Sequence, residues 1–166
     1  VGDVEAVTEA VREALIELAS PDETFALGVR IAALLQPGDF LGLTGDLGTG
    51  KTLLIRGLAK GLGVPDAQVQ SPTFTIVNTY AGGRLPLHHA DLYRIESQDE
   101  LYATGYFDLL EGEGAMAVEW VERIPGALPQ GRLQLRLERS SDTARKLSLE
   151  AAGPRHEALL RQALAT

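Results

Sequence analysis

A three-layer α/β fold, its sheet parallel at the core and carrying an antiparallel hairpin, is predicted by three features of the sequence. The apolar run Phe40-Leu41-Gly42-Leu43-Thr44 leads into a glycine-rich loop and then into leucines at helical spacing, Leu53, Leu54, Leu58 and Leu62. A β-dense run at residues 74–80 turns at Ala81-Gly82-Gly83-Arg84 and returns through residues 85–93, which is a hairpin pattern. A third apolar run, residues 115–120, reads as a short strand with an acid, Glu119, near its end.

Taken in order, residues 4–18 place Val4, Val7, Val11, Leu15 and Leu18 at spacings of three and four, which predicts an amphipathic helix. Residues 1–19 thus read as a helical extension of the domain. Ser20-Pro21-Asp22-Glu23 is a capping box with proline at the first helical position. A second helix runs from it through Phe25, Leu27, Ile31 and Leu34 to a stop at Pro37-Gly38. The strand, glycine loop and third helix follow, ending at Gly61-Leu62-Gly63. After the hairpin, residues 97–102 read as helix, and Gly105, Gly112 and Gly114 mark a loop. Two β-type runs, residues 133–137 and 147–151, flank the turn Ser140-Ser141-Asp142. Gly153-Pro154 opens a last helix through Leu159, Leu160 and Leu164. With no internal repeat, linker or low-complexity segment, residues 1–166 read as one domain.

The bulk composition narrows the function. A chain of 166 residues with 45% hydrophobic content can bury a real core. A formal net charge of −8 argues against a broad nucleic-acid-binding face, which needs clustered Lys and Arg. Without cysteine there is no disulfide framework, thiolate metal site or cysteine nucleophile. The sequence shows neither a signal-peptide pattern nor an apolar run of membrane-span length, so the expectation is a soluble cytoplasmic protein.

The glycine-rich loop carries the chemistry. Gly45-Asp46-Leu47-Gly48-Thr49-Gly50-Lys51-Thr52 fits G-x-x-x-x-G-K-[ST], the phosphate loop of P-loop NTPases, without a mismatch. Glycines let successive backbone N–H groups turn toward a polyphosphate, and the next helix points its positive end at the same anion. Lys51 reaches terminal phosphates, and the Thr52 hydroxyl can bind magnesium. Glu119, at the end of a buried strand, is where such folds hold magnesium; the bland reading is an exposed strand-end acid. Asp91 either orders a water beside the phosphates or caps a turn, and its sequence context does not separate the two. Ser71 and Thr73 flank Pro72 in a segment that either senses a terminal phosphate or caps the next strand. Trp120, the sole tryptophan, either stacks near the nucleotide or sits in the core. His88 and His89 alternate faces in an extended chain, so at most one points inward, and no partner at metal-ligand spacing supports a zinc site.

The motifs together resemble one family, TsaE, the small bacterial ATPase of threonylcarbamoyladenosine modification in tRNA. The phosphate loop, Ser71-Pro72-Thr73-Phe74-Thr75-Ile76-Val77, His89-Ala90-Asp91-Leu92-Tyr93-Arg94 and Glu119-Trp120 match in order and spacing. The resemblance implies that Thr52 and Glu119 hold magnesium and that Asp91 lies close to the phosphates. It also implies that Ser71 and Thr73 belong to a switch-like loop and that Trp120 sits beside the nucleotide. The segment around Thr24 and the turn at Ala144 and Arg145 match more loosely as flanks of the adenine. In that family the partners are TsaD and TsaB, with tRNA met indirectly through their complex. Leu53 departs from the second threonine common there, and the stretch before Ser20 is an extension.

The expected function is therefore a weak, partner-stimulated, magnesium-dependent ATPase supporting turnover of the TsaB–TsaD complex, with Lys51, Asp91 and Glu119 as its reactive groups. Two rivals stand against it: a small-molecule P-loop kinase, and a nucleotide-gated binding module without meaningful hydrolysis. The kinase would need an arginine-bearing lid, and no arginine-rich segment supplies one. No N-K-x-D motif favours GTP.

Overall fold

The computed structural model describes residues 12–46, 48–65, 69–70, 72 and 76–165. They form a seven-stranded mixed sheet with helices on both faces, as expected. The strands are β1 (Glu13–Leu18), β2 (Phe40–Thr44), β3 (Val77–Tyr80), β4 (Leu87–Asp91), β5 (Ala115–Glu119), β6 (Arg132–Arg139) and β7 (Arg145–Ala152). The helices are α1 (Pro21–Ala32), α2 (Lys51–Leu62), α3 (Gln98–Ala103), α4 (Tyr106–Leu110) and α5 (Pro154–Leu164). The strand order is β1-β7-β6-β2-β5-β4-β3. Strands β6, β2, β5 and β4 run parallel. The hairpin β3–β4 and the pairs β6–β7 and β7–β1 are antiparallel.

Alternation along the strands divides the core in two. Leu41, Leu43, Ala115, Ala117, Leu133, Leu135, Leu147 and Leu149 pack in one cluster with α1, α2 and α5. Phe40, Met116 and Val118 belong to the other, with Leu92, Ile95, Leu101 and Tyr106. Both faces of β2 and β5 are thus covered, which is why these strands read as continuous apolar runs rather than alternating ones. On β6 the intervening residues are Gln134, Arg136 and Glu138, so the second core stops short of that strand.

The helix boundaries follow their local signals. The Ser20 hydroxyl accepts from the Glu23 N–H at 3.3 Å, and Pro21 occupies the first turn of α1. Helix α2 stops at Gly63, whose φ is 89°. Ser97 caps α3 by accepting from the Glu100 N–H at 3.1 Å. In the hairpin turn, Arg84 donates to the carbonyls of Ala32 and Leu35 at 2.7 and 3.1 Å, placing a cation at the C-terminal end of α1.

Three expectations are corrected. Residues 13–18 are not the end of an amphipathic helix but strand β1, paired antiparallel with β7. Ala14 and Ile16 pack against the core and Leu18 lies within it, while Leu15 is 64% exposed, a period of two rather than 3.6. The open edge of β7 supplies backbone partners that the helical spacing could not reveal. Residues 4–11 of the expected helix lie outside the described residues. The segment between Gly105 and Gly114 is not all loop. It contains α4, held because Tyr106 is fully buried and donates its hydroxyl to the Ala127 carbonyl at 3.0 Å. Finally, His88 and His89 are both buried, at 6% and 0% exposure, and each finds a partner across the sheet.

Candidate nucleotide-binding site

Three strand ends converge to make the site. Leu43 of β2 and Asp91 of β4 are both in register with Glu119 of β5, so the three lie side by side at the carboxyl edge of the parallel strands. Ligands bind at that edge in open α/β sheets because the loops there are free to carry donors.

The phosphate loop leaves β2 at Gly45 and enters α2 at Lys51. Gly45 takes φ 138°, and a Cβ there would lie 2.5 Å from the Leu137 carbonyl oxygen, so both conformation and space require glycine. Gly50 caps α2 with φ 106° and no side-chain hydrogen bond, leaving first-turn N–H groups without a side-chain cap. The Thr49 hydroxyl donates to the Asp46 carbonyl at 2.8 Å, bracing the loop across its width. Arg145, the first residue of β7, donates Nε to the Thr49 carbonyl at 2.9 Å. Its Nη2 lies 3.4 Å from the Gly48 carbonyl. Arg145 thereby ties the loop to the sheet, a contact that sequence placed only loosely as a flank.

Lys51 is 5% exposed and folded back: Nζ donates to the Gly45 carbonyl and lies 3.4 Å from the Asp46 carbonyl. The same ammonium stands 4.2 Å from the Trp120 ring centroid, a cation–π contact. Trp120 has φ 58°, the one positive value on a non-glycine residue among the described residues. Bulky side chains seldom adopt that region, and here the residue that does so carries the ring facing Lys51 Nζ. Tyr93 packs against the indole with ring centroids 5.0 Å apart.

Glu119 is 4% exposed, and its Oε2 lies 2.7 Å from His89 Nε2. Asp91 is half-buried and accepts from the Tyr93 N–H at 2.9 Å. Burial holds its carboxyl above the ordinary range; the Tyr93 N–H opposes that shift, and nearby Glu119 adds to it.

A cavity of about 400 Å³ is lined by Gly48, Gly50, Lys51, Thr52, Asp91, Glu119 and Trp120. Of the reactive and binding groups expected from sequence, Gly48, Gly50, Lys51, Thr52, Asp91, Glu119 and Trp120 line this cavity, Gly45, Asp46 and Thr49 do not, and Leu47, Ser71 and Thr73 lie outside the described residues. Asp46 lines a neighbouring hollow of about 750 Å³ that shares Trp120. Another hollow, about 660 Å³, lies by Glu13, Arg136 and Glu150, but no phosphate-loop residue lines it. Size alone is therefore a poor guide to the site.

The donor set suits magnesium and a polyphosphate. A threonine hydroxyl and two carboxylates line one cavity, hard oxygen donors of the kind magnesium takes. Among the described residues no group of three or more His, Cys, Asp or Glu could hold a metal ion. A site completed by phosphate oxygens needs no such cage.

The family model described as "Threonylcarbamoyl adenosine biosynthesis protein TsaE" matches residues 18–147, a span containing every group that lines this cavity. The chain belongs to the TsaE family. The tRNA threonylcarbamoyladenosine biosynthesis protein TsaE of Bacillus subtilis is 44% identical over 140 residues, covering 84% of this chain and 87% of that protein. The TsaE of Treponema pallidum is 35% identical over 130 residues, 78% of this chain and 95% of that one. The crystal structure of Bacillus subtilis YdiB superposes with a TM-score of 0.77 at 36% identity, covering 94% of this chain and 97% of that one. TsaE membership agrees with the P-loop architecture seen here.

Two groups in this TsaE-family site were not singled out from sequence for what they do. His89 reaches Glu119 because residues 89 and 119 lie on adjacent strands two positions out of register. Only the pairing of β4 with β5 reveals that. The Tyr93 ring packs at a tilt of 57° against Trp120 through a turn that sequence spacing does not encode.

Proposed function

We propose that this chain binds ATP with magnesium and hydrolyses it slowly, as the nucleotide-driven subunit of a cytoplasmic tRNA threonylcarbamoyladenosine-forming assembly with TsaB and TsaD. The convergence of Lys51, Thr52, Asp91 and Glu119 on one cavity at the carboxyl ends of β2, β4 and β5 carries this reading. Family membership supports the pathway, and the acidic balance fits a subunit that meets tRNA through its partners.

In this reading the Gly45–Gly50 backbone cradles the phosphates, and Lys51 exchanges its carbonyl partners for phosphate oxygens, neutralising charge as it develops. Thr52 and Glu119 would hold the magnesium, which would supply charge neutralisation for the phosphates. Asp91, whose raised pKa makes it a better proton acceptor than an ordinary carboxylate, orients the attacking water. Ser71 and Thr73 respond to the terminal phosphate and pass its presence to the partner surface.

The test is ATP hydrolysis by the purified chain, alone and with TsaB and TsaD. Low basal turnover should rise with the partners, and Lys51→Ala and Glu119→Ala should each lower it by about 10²-fold or more. Undiminished hydrolysis and tRNA modification in Lys51→Ala would sink the proposal.

A further inference from the structure

A buried chain of polar groups runs out of the site, and the proposed hydrolysis does not use it. His89, on β4, is 0% exposed, and its Nε2 faces Glu119 Oε2 at 2.7 Å. An ionised carboxylate only accepts, so Nε2 carries the proton and donates. The other ring nitrogen, Nδ1, lies 3.0 Å from the Tyr80 hydroxyl on β3. That hydroxyl accepts from the Gln70 N–H at 3.1 Å, and its own proton has two acceptors in reach, Nδ1 and the Gln70 carbonyl at 2.8 Å. Tyr80 is 3% exposed and His89 0%, so the contact between these two side chains is closed to bulk water unless the strands part. Gln70 immediately precedes Ser71, where the segment expected to sense the nucleotide begins.

A glutamate carboxylate can turn about three side-chain bonds, and the contact of Oε2 with His89 restricts that freedom where Glu119 lines the cavity. Metal sites depend on such outer partners to aim their ligands. Tyr80 connects the same imidazole to the Gln70 backbone, so Glu119 and Gln70, far apart in sequence, share one hydrogen-bonded frame.

We propose that His89 is the positioning residue of Glu119, and that the Tyr80 hydroxyl couples it to the Gln70 backbone, so that the carboxylate offered to magnesium and the Gln70 backbone are set together. This rests on reading the cavity as a magnesium–nucleotide site.

The experiment compares wild type with His89→Ala, His89→Gln and Tyr80→Phe, titrating ATP with and without magnesium and following Trp120, whose emission reports only this site because it is the sole tryptophan. His89→Ala should leave magnesium-free ATP binding within about 3-fold of wild type while raising the magnesium concentration for half effect about 10-fold or more. His89→Gln, which keeps an N–H donor, should recover part of that loss. Tyr80→Phe removes one oxygen and keeps the ring. It should accelerate amide hydrogen exchange at Gln70 in nucleotide-free protein and shift the magnesium requirement in the same direction by a smaller factor. An unchanged magnesium requirement in His89→Ala, or in His89→Gln and Tyr80→Phe if the alanine variant does not fold, overturns the proposal and leaves the nucleotide site standing. A wild-type protein whose ATP binding ignores magnesium overturns instead the reading on which the proposal rests.

Discussion

Gly45 shows how narrowly the phosphate loop is specified. Its φ of 138° excludes ordinary side chains, and the oxygen that a Cβ would strike belongs to the Leu137 backbone and cannot swing aside. Gly45→Ala should therefore weaken ATP binding about 10-fold or more and cost about 1–3 kcal/mol of stability, measured by nucleotide titration and thermal melting. A second residue-scale effect comes from His156. Its Nε2 accepts from the Phe40 N–H at 3.0 Å, so the folded state needs the ring neutral, and burial, helped by Arg155 and opposed by Asp39, pushes its pKa below the ordinary 6.5. His88 is lowered in the same direction by burial. The unfolded chain takes up these protons first. Stability is thus intact above about pH 6.5 and falls as the pH drops through that value toward the lower folded one. Melting temperatures at about pH 7.5 and about pH 5.5 should show the loss, each kcal/mol being worth about 2–4 °C, and His156→Gln should show less of it.

At the scale of elements, α1 and α2 touch backbone to backbone. A Cβ on Gly57 would lie 2.2 Å from the Phe25 carbonyl oxygen, and one on Gly28 would lie 2.4 Å from that of Leu54. Read along the chain, these glycines look like weak points in two helices, since propensity counts them as costs. Their spatial meaning appears only when the helices meet. Because α2 begins at Lys51, pushing the helices apart also moves the phosphate loop. Gly57→Ala should cost about 1–3 kcal/mol and weaken nucleotide binding in parallel, a coupling that calorimetry and titration of one variant would expose. Strand β1 teaches a related lesson. Leu15 and Leu18 fit helical spacing, Ala14, Ile16 and Leu18 fit strand alternation, and the free edge of β7 chose between them. The phosphate loop, both serine-capped helices and the β3–β4 hairpin needed no such arbitration, because each is marked by residues whose backbone or capping chemistry has one good use.

For the whole molecule, the placement of the site explains why stability and function should be linked. Groups from the phosphate loop, α2, β4 and β5 close on one cavity, so a ligand there would bridge elements distant in sequence. Saturating ATP and magnesium should raise the melting temperature, with about 2.7 kcal/mol gained at a hundredfold excess over the dissociation constant, and Lys51→Ala should abolish the gain. By itself the sequence determined the α/β class, the phosphate loop with Lys51 and Thr52, and Asp91 and Glu119 as acids near strand ends, since glycine spacing, caps and apolar runs are local signals. Tertiary structure alone decided that Glu119 stands beside Asp91 and is held by His89, that Arg145 grips the phosphate loop, and that β1 is a strand. Those facts depend on which strands pair and in what register, a choice made by packing between segments and not by any one of them.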